Sequence, residues 1–155
     1  FLLRSNDEVM RYIDKEKAKD VSEGMAFVQR IEASVANNDG ITWAITLKED
    51  PAALIGTIGF WRIIKEHFRA EIGYTLHPDF WGKGVMTEAI RCCILYGFGP
   101  LGLHSIEAHI NPGNAASAGV LEKTGFVREA YFREDYFFRG KFMDTAIYSL
   151  LTPNR

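Results

Sequence analysis

The stretch 70–110 restricts the possible folds more than any other part of the sequence, because its pattern changes three times. Residues 70–76 alternate and predict a strand, a loop with two glycines follows, and the apolar run 85–98 predicts a buried helix. Residues 103–110 alternate again and predict another strand. A strand, a helix and a second strand in succession favour two parallel strands joined by a right-handed crossover.

Periodicity on either side of this stretch predicts the remaining elements. The capping-box spacing of Ser5 and Glu8 predicts a helix that starts near Asn6. Apolar residues at every third or fourth position predict a second helix over 21–35. Asn114 is placed to cap a further helix over 115–124. Alternating patterns predict the other strands at 41–47, 54–63, 126–138 and 142–151.

The predicted elements define an α/β (α+β) fold with a single domain over residues 1–155. We expect the first three strands to form an antiparallel meander and the last two to pair across the turn 139–141. The sheet is therefore predicted to be mixed and mostly antiparallel, with a parallel central pair and flanking helices. Because the chain opens on Phe1 instead of Met, we also expect that an upstream segment with an N-terminal strand is missing from this sequence.

The amino-acid composition excludes some classes of binding partner. The chain is 47% hydrophobic, enough for one core, and carries 18 Lys and Arg against 20 Asp and Glu. Neither nucleic acid nor an acidic membrane is therefore an expected partner. The only two cysteines, Cys92 and Cys93, are adjacent in a predicted helix and cannot form a stabilising disulfide. With no leader pattern and no apolar run near the roughly 18 residues of a membrane span, we expect a cytoplasmic protein.

The loop between the first parallel strand and the helix predicts a phosphate site. Gly82 and Gly84 lack side chains that would hold a ligand away from the backbone, and the following helix aims unpaired N–H groups at the loop. A tight turn without a ligand is the alternative. Thr87 stands where a dinucleotide fingerprint needs glycine, and Lys83 precedes glycine instead of the Ser or Thr of a P-loop. The remaining candidate ligand for the loop is a pyrophosphate that is held by backbone amides without a metal.

Two segments at this spacing carry a resemblance to a known family. AEIGYTLHPDFWGKGVMTEA, starting at Ala70, and NPGNAASAGVLEKTGF, ending at Phe126, resemble the GNAT superfamily of N-acetyltransferases, and most of all its RimJ/RimL-type N-terminal acetyltransferases of ribosomal proteins. The resemblance implies acetyl-CoA as co-substrate, no metal, and a GNAT-like sheet whose parallel central pair splays into a V. Asp79 departs from the pattern, since the family usually has Gln or Arg there. Because the phosphate contacts come from backbone, CoA binding is still expected.

The resemblance also implies which residues bind CoA. The pantetheine arm would lie along the first parallel strand like an added strand, and the pyrophosphate would bind the glycine loop. An asparagine before the last helix would contact the arm. The matching positions are Tyr74, Thr75, Leu76, Gly82, Lys83, Gly84, Val85, Met86, Thr87 and Asn114.

Direct acetyl transfer needs a neutral amine, a stabilised oxyanion and a proton for the departing thiolate. Glu71 and His109 match positions where branches of the family carry a glutamate, and both stay open as the general base. The plainer interpretations are an exposed strand carboxylate and a hydrogen-bonded sheet histidine. Leu121 replaces the tyrosine that many members use as proton donor, and Ser117 matches the serine of the RimL-type pattern. A ping-pong reaction through either cysteine is rejected, because a thiol in apolar surroundings stays protonated.

Three functions remain open at this point. Transfer to the N-terminal α-amine of a protein is favoured, because a pKa of roughly 7.7–8.0 leaves part of that amine neutral at pH 7. A small amine, such as an antibiotic or a polyamine, is the second, although the residues near the expected entrance show no acidic cluster: Trp61, Arg62, Lys65, Glu66 and His67. A non-catalytic acyl-CoA-binding module is the third. A homodimer is compatible with each of them.

Overall fold

The computed structural model describes residues 1–153; Asn154 and Arg155, the end of the predicted domain, lie outside the described residues. The helices in this range are α1 (Leu2–Ser5), α2 (Asp7–Met10), α3 (Val21–Ala36), α4 (Val85–Phe98) and α5 (Ala115–Lys123). The strands are β1 (Ile41–Ile45), β2 (Gly56–Ile64), β3 (Arg69–Leu76), β4 (Ser105–Ile110), β5 (Val127–Phe138) and β6 (Lys141–Leu151). None of these helices combines the length and the apolar character that crossing a bilayer requires.

The six strands form one mixed sheet in the order β1-β2-β3-β4-β6-β5. The first three are an antiparallel meander, and β3 and β4 are parallel, as predicted. The last strand, β6, lies between β4 and β5 and is antiparallel to both. The predicted fold class, a mostly antiparallel sheet with a parallel central pair and flanking helices, is confirmed.

The core fills one face of the sheet, beneath α4 and α5. Its fully buried large side chains are Phe60, Ile90, Ile106 and Leu121. Gly97 lets α4 approach closely, because a Cβ there would lie 2.9 Å from the ring of Phe60. Since successive strand residues point to opposite faces, the residues that alternate with the core positions lie on the far side of the sheet.

The amino-terminal helix starts near Asn6 as predicted, but the predicted capping by Ser5 was wrong. The chain already forms α1 before Asn6, and the Asn6 side chain caps α2 by accepting the backbone N–H groups of Glu8 and Val9 at 2.9 and 3.1 Å. Ser5 instead donates its hydroxyl to the carbonyl of Leu2. Asn6 takes the capping position because its backbone is extended there, whereas Ser5 belongs to α1.

The second predicted helix, α3, forms with Asp20 as its cap. Its apolar stripe stays exposed all the same: Val21, Met25 and Val28 are each more than half exposed. The contacts of the helix with the rest of the chain include Gly24 against Phe1, Ser34 against Gly40 and the Phe27 ring against Arg4. Helical periodicity therefore predicted the element correctly but not which face it buries.

The β5 and β6 strands continue past the end of β4 as a two-stranded ribbon. The turn is Arg139 and Gly140, both at positive φ, so Lys141 belongs to β6 and not to the predicted turn. The amino-terminal segment anchors the ribbon. Asp14 accepts the hydroxyl of Tyr136, and Glu16 pairs with Arg139 at 2.7 Å.

Candidate active site

The parallel strands β3 and β4 separate partway along their length. They pair only from Arg69 opposite Ser105 to Glu71 opposite Glu107. Beyond this point β3 stays paired with β2 as far as Leu76, and β4 stays paired with β6 to its end. The central pair therefore splays into the predicted V. We call the gap between 72–76 of β3 and 108–110 of β4 the wedge.

The glycine loop stands at the end of β3 and leads directly into α4. Gly82 and Gly84 both have positive φ, +69° and +82°, and no atom lies within 4 Å of where a Cβ would be. Gly84 is the N-cap of α4, and no side chain caps the helix. The first N–H groups of a 14-residue helix thus face open space, with the helix dipole adding positive potential. This cradle fits a phosphate group.

Side chains around the loop hold it in place and leave its backbone to a ligand. The Trp81 indole donates to the carbonyl of Leu76 at 2.8 Å, which ties the loop to the end of β3. Lys83 is exposed and its ammonium lies over the ring of Phe80. Met86 is partly buried and packs against the core.

On the helix side of the wedge, the first turn of α5 brings three predicted site residues together. The Asn114 side-chain oxygen accepts the N–H of Ser117 at 3.1 Å, which confirms the predicted N-cap. Ser117 is buried, and its hydroxyl lies 2.7 Å from the hydroxyl of Tyr74 on β3. Leu121, which replaces the proton-donor tyrosine of many members of the resembled family, is fully buried in the core.

On the opposite face of the sheet, Glu71 and Glu107 lie side by side at the last paired position before the wedge. Both are buried, at 4% and 8% exposure, so the interpretation of Glu71 as an exposed strand carboxylate is wrong. We call this side of the sheet the carboxylate face. Glu107 was missed by sequence reasoning, although its alternation with His109 places the two side chains on one face.

Two arginines neutralise this acidic pair. Arg69 pairs with Glu107, and an Arg62 guanidinium nitrogen lies 3.4 Å from the Glu71 carboxylate. Arg62 has φ of +54° and lies where the β2–β3 register shifts, between Trp61 and Ile64. Bulges re-aim side chains. This one lets Arg62 reach the carboxylate face, which strict alternation with Trp61 would prevent.

The environment of Glu71 changes its acidity. Burial raises the pKa of the carboxyl to about 7, Arg62 acts against this, and the negative charge of Glu107 adds to it. A hydrogen bond from Trp61 lowers the pKa as well, by a smaller amount. The Glu71 Oε2 atom has no hydrogen-bond partner among the described residues. A buried carboxylate with such a pKa, whose Oε2 lies 3.4 Å from Arg62 but accepts no hydrogen bond, can take up a proton at neutral pH.

His109 shares the carboxylate face. Its Nε2 lies 3.6 Å from Glu107, which is too far for a hydrogen bond. This nitrogen is buried and has no hydrogen-bond partner within residues 1–153, so the interpretation of a hydrogen-bonded sheet histidine is wrong. No group of three or more metal-ligating side chains occurs in the same range.

The two cysteines lie in α4 as predicted, but their environments differ. Cys93 is buried, and burial raises the pKa of its thiol to about 12, with Cys92 contributing. Cys92 is exposed, which corrects the expectation that both lie in apolar surroundings. Neighbouring helix positions point in different directions, so one faces the core and the other faces solvent.

A Cys92→Ala, Cys93→Ala variant should turn over like the wild type, because the buried thiol is held protonated and neither residue lies at the wedge. Truncating buried Cys93 should cost about 1 kcal/mol of stability. Steady-state kinetics with both substrates varied would measure this. Parallel double-reciprocal lines, or an acetylated cysteine found by mass spectrometry, would contradict direct transfer.

The structure combines three features that are expected of an acyltransferase. They are a splayed parallel pair of strands, an uncapped helix behind a glycine loop, and polar groups on both sides of the gap. Residues 1–127 match the family described as the acetyltransferase (GNAT) domain. The chain belongs to the GNAT family of acetyltransferases, and it is an N-acetyltransferase.

Individual relatives agree with this assignment. The chain is 38% identical over 153 residues to YoaA of Bacillus subtilis, an uncharacterized N-acetyltransferase, covering 99% of this chain and 86% of the relative. It is 30% identical over 106 residues to the ribosomal protein uS5 alanine N-acetyltransferase of Escherichia coli, covering 68% and 55%. The structure of spermidine N-acetyltransferase from Vibrio cholerae with CoA and spermine superposes with a TM-score of 0.83 at 25% identity, covering 97% and 86%.

Proposed function

We propose that this enzyme transfers the acetyl group of acetyl-CoA to the N-terminal α-amine of a protein, in a ternary complex and in the cytoplasm. The observation that carries the proposal is that polar side chains suited to acetyl transfer lie on both sides of the wedge. A part-buried pair of hydroxyls, from Tyr74 and Ser117, lies on its helix side, and a buried carboxylate with a pKa of about 7 lies on its other side. The uncapped α4 N-terminus lies at the end of β3.

CoA binding is assigned to backbone groups. The N–H groups of the loop from Gly82 to Thr87 hold the pyrophosphate, which their open surroundings support. The unpaired edge of β3 at 74–76 takes the pantetheine arm and supplies an N–H for the oxyanion. The Asn114 oxygen is used by the helix cap, so its amide N–H₂ group is free for the arm.

Glu71 is the general base that we favour. An α-amine has a pKa of roughly 7.7–8.0, so a carboxylate with a pKa of about 7 is nearly matched to it, as efficient proton transfer requires. A lysine side chain, at about 10.4, is matched less well. His109 is the second candidate, because its buried Nε2 has no partner among the described residues.

A polyamine is the alternative acceptor, and one observation favours it. Sequence reasoning found no acidic cluster at the entrance, whereas Glu71 and Glu107 meet on the carboxylate face. Their pairing with Arg62 and Arg69 makes this face a poor site for several positive charges, which supports a single amine instead. A non-catalytic module gains nothing from buried polar groups on both sides of the wedge.

The experiment is acetyl-CoA-dependent release of free thiol with a matched panel of amines. The panel holds a peptide with a free N-terminal alanine, the same peptide with its N-terminus blocked and one lysine free, and spermidine. We expect the free N-terminus to give the highest kcat/KM. A higher kcat/KM for spermidine would show that the acceptor is a polyamine and not a protein N-terminus. CoA binding without thiol release from any amine would favour the non-catalytic module.

Ser117→Ala should lower kcat at the low end of the general-acid range, about 10²-fold, with little change in acetyl-CoA affinity. The loss is moderate because a CoA thiol has a pKa near that of cysteine, about 8.5, and leaves readily. Kinetics combined with calorimetric titration of acetyl-CoA would separate the two quantities. Native turnover would leave Ser117 a structural residue, and lost affinity would assign it to CoA binding.

A further inference from the structure

The side chain of Tyr74 has a place in the site that its sequence position did not suggest. Sequence reasoning used only its backbone. Its hydroxyl lies 2.7 Å from the Ser117 hydroxyl, across 43 residues of sequence. Burial raises the pKa of Tyr74 to about 12, so the phenol is neutral and keeps its proton throughout the physiological range.

The direction of this hydrogen bond follows from the two groups. A phenol is the stronger donor and an aliphatic hydroxyl is the better acceptor, so the Tyr74 O–H donates to Ser117 Oγ. Ser117 then keeps its own hydrogen for a third group. No other hydrogen-bond partner of Ser117 Oγ occurs within residues 1–153.

The surroundings indicate where that hydrogen points. A helix serine without a donor beside it commonly turns its hydrogen back to the carbonyl four residues earlier. Here the tyrosine oxygen lies on one side of Ser117 Oγ, and the wedge opens between β3, which carries Tyr74, and β4. Chained hydroxyls also polarise one another, so a serine that accepts from a phenol becomes a better donor.

We propose that Tyr74 is a positioning residue, whose hydroxyl orients Ser117 so that the serine donates its hydrogen bond to the sulfur of CoA. This rests on the proposed function, since it takes the sulfur to lie in the wedge. Tyr74 transfers no proton to the sulfur itself, because its hydroxyl hydrogen is donated to Ser117 Oγ.

The variants that test this are Tyr74→Phe, Ser117→Ala and the combination of both. Phenylalanine keeps the ring and removes only the hydroxyl. The matched control is Tyr148→Phe, because Tyr148 is a buried tyrosine whose hydroxyl also bonds to α5, at Glu122. We expect a loss of roughly three- to tenfold in kcat for Tyr74→Phe, the worth of one neutral hydrogen bond, with KM for acetyl-CoA unchanged.

The decisive comparison is the double variant. If Tyr74 acts through Ser117, then Tyr74→Phe lowers kcat in the wild-type background and has no further effect in the Ser117→Ala background. An equal loss in both backgrounds, or an equal loss in Tyr148→Phe, would overturn the proposal and leave Tyr74 a packing residue.

A second measurement needs only CoA binding and so separates this proposal from the acceptor assignment. The thiol pKa of bound CoA, followed by the ultraviolet absorbance of the thiolate, should be lower in the wild type than in free CoA. It should rise in Tyr74→Phe and in Ser117→Ala, and stay at the wild-type value in Tyr148→Phe. Identical values in the wild type and both site variants would contradict the proposal even if transfer to an amine is observed.

Discussion

Replacing Gly84 with valine should weaken CoA binding by several orders of magnitude while the chain still folds. The backbone at Gly84 has φ of +82°, and the space beside it is open because no protein atom lies within 4 Å of where a Cβ would stand. A valine would fill the volume that a phosphate needs and would turn N–H groups away from it. Losing two charge-assisted hydrogen bonds, at about 1.5–3 kcal/mol each, should weaken binding by about 10²- to 10⁴-fold. Calorimetric titration with CoA measures this.

Strain alone has to be separated from the loss of the site. Gly140, in the β5–β6 turn, has φ of +78° and the same open space around it, but lies in the turn of the ribbon and not in the glycine loop. Gly140→Val should therefore lower the thermal unfolding midpoint about as much as Gly84→Val and leave CoA affinity unchanged. Native affinity in Gly84→Val would remove the loop from the site.

Much of the fold could be predicted because most of its helices and strands follow from patterns among residues that are close in sequence. The alternation of the first strands and the glycine loop before α4 need only neighbouring residues, and both formed where expected. Element ends shifted by a few residues; the strand predicted at 54–63, for example, begins at Gly56. The insertion of β6 between β4 and β5 was not predicted, since strand order depends on pairing between distant segments.

The site likewise has features that could be predicted from nearby residues and features that could not. The Asn114 cap and the positive φ of Gly82 and Gly84 follow from residue type and short spacing. The contact of Glu71 with Glu107 requires the register of a parallel pair, and the reach of Arg62 requires a bulge that no local pattern marks. The burial that raises the pKa of Glu71 is a property of the assembled sheet, so the choice between the two candidate bases could not be made from sequence.

Glu71→Gln should lower kcat/KM by about 10²- to 10⁴-fold at neutral pH, because the amide keeps the shape of the side chain but cannot accept a proton. The pH profile gives the sharper test. With an α-amine substrate, the wild type should rise with slope two below pH 7, where both Glu71 and the amine must lose a proton. Because the two pKa values are less than about one unit apart, the slope should fall continuously from two to zero as the pH rises through both of them.

The variant should show slope one throughout the acidic range, since only the substrate amine still titrates. Glu107→Gln serves as the companion variant. Arg62, Arg69, Glu107 and His109 are the charged or titratable groups around Glu71, and removing the Glu107 charge should move the Glu71 inflection below pH 7. A Glu71→Gln enzyme that keeps slope two would exclude Glu71 as the base, and His109→Gln would then be the variant to assay, because the buried His109 Nε2 accepts no hydrogen bond from the described residues.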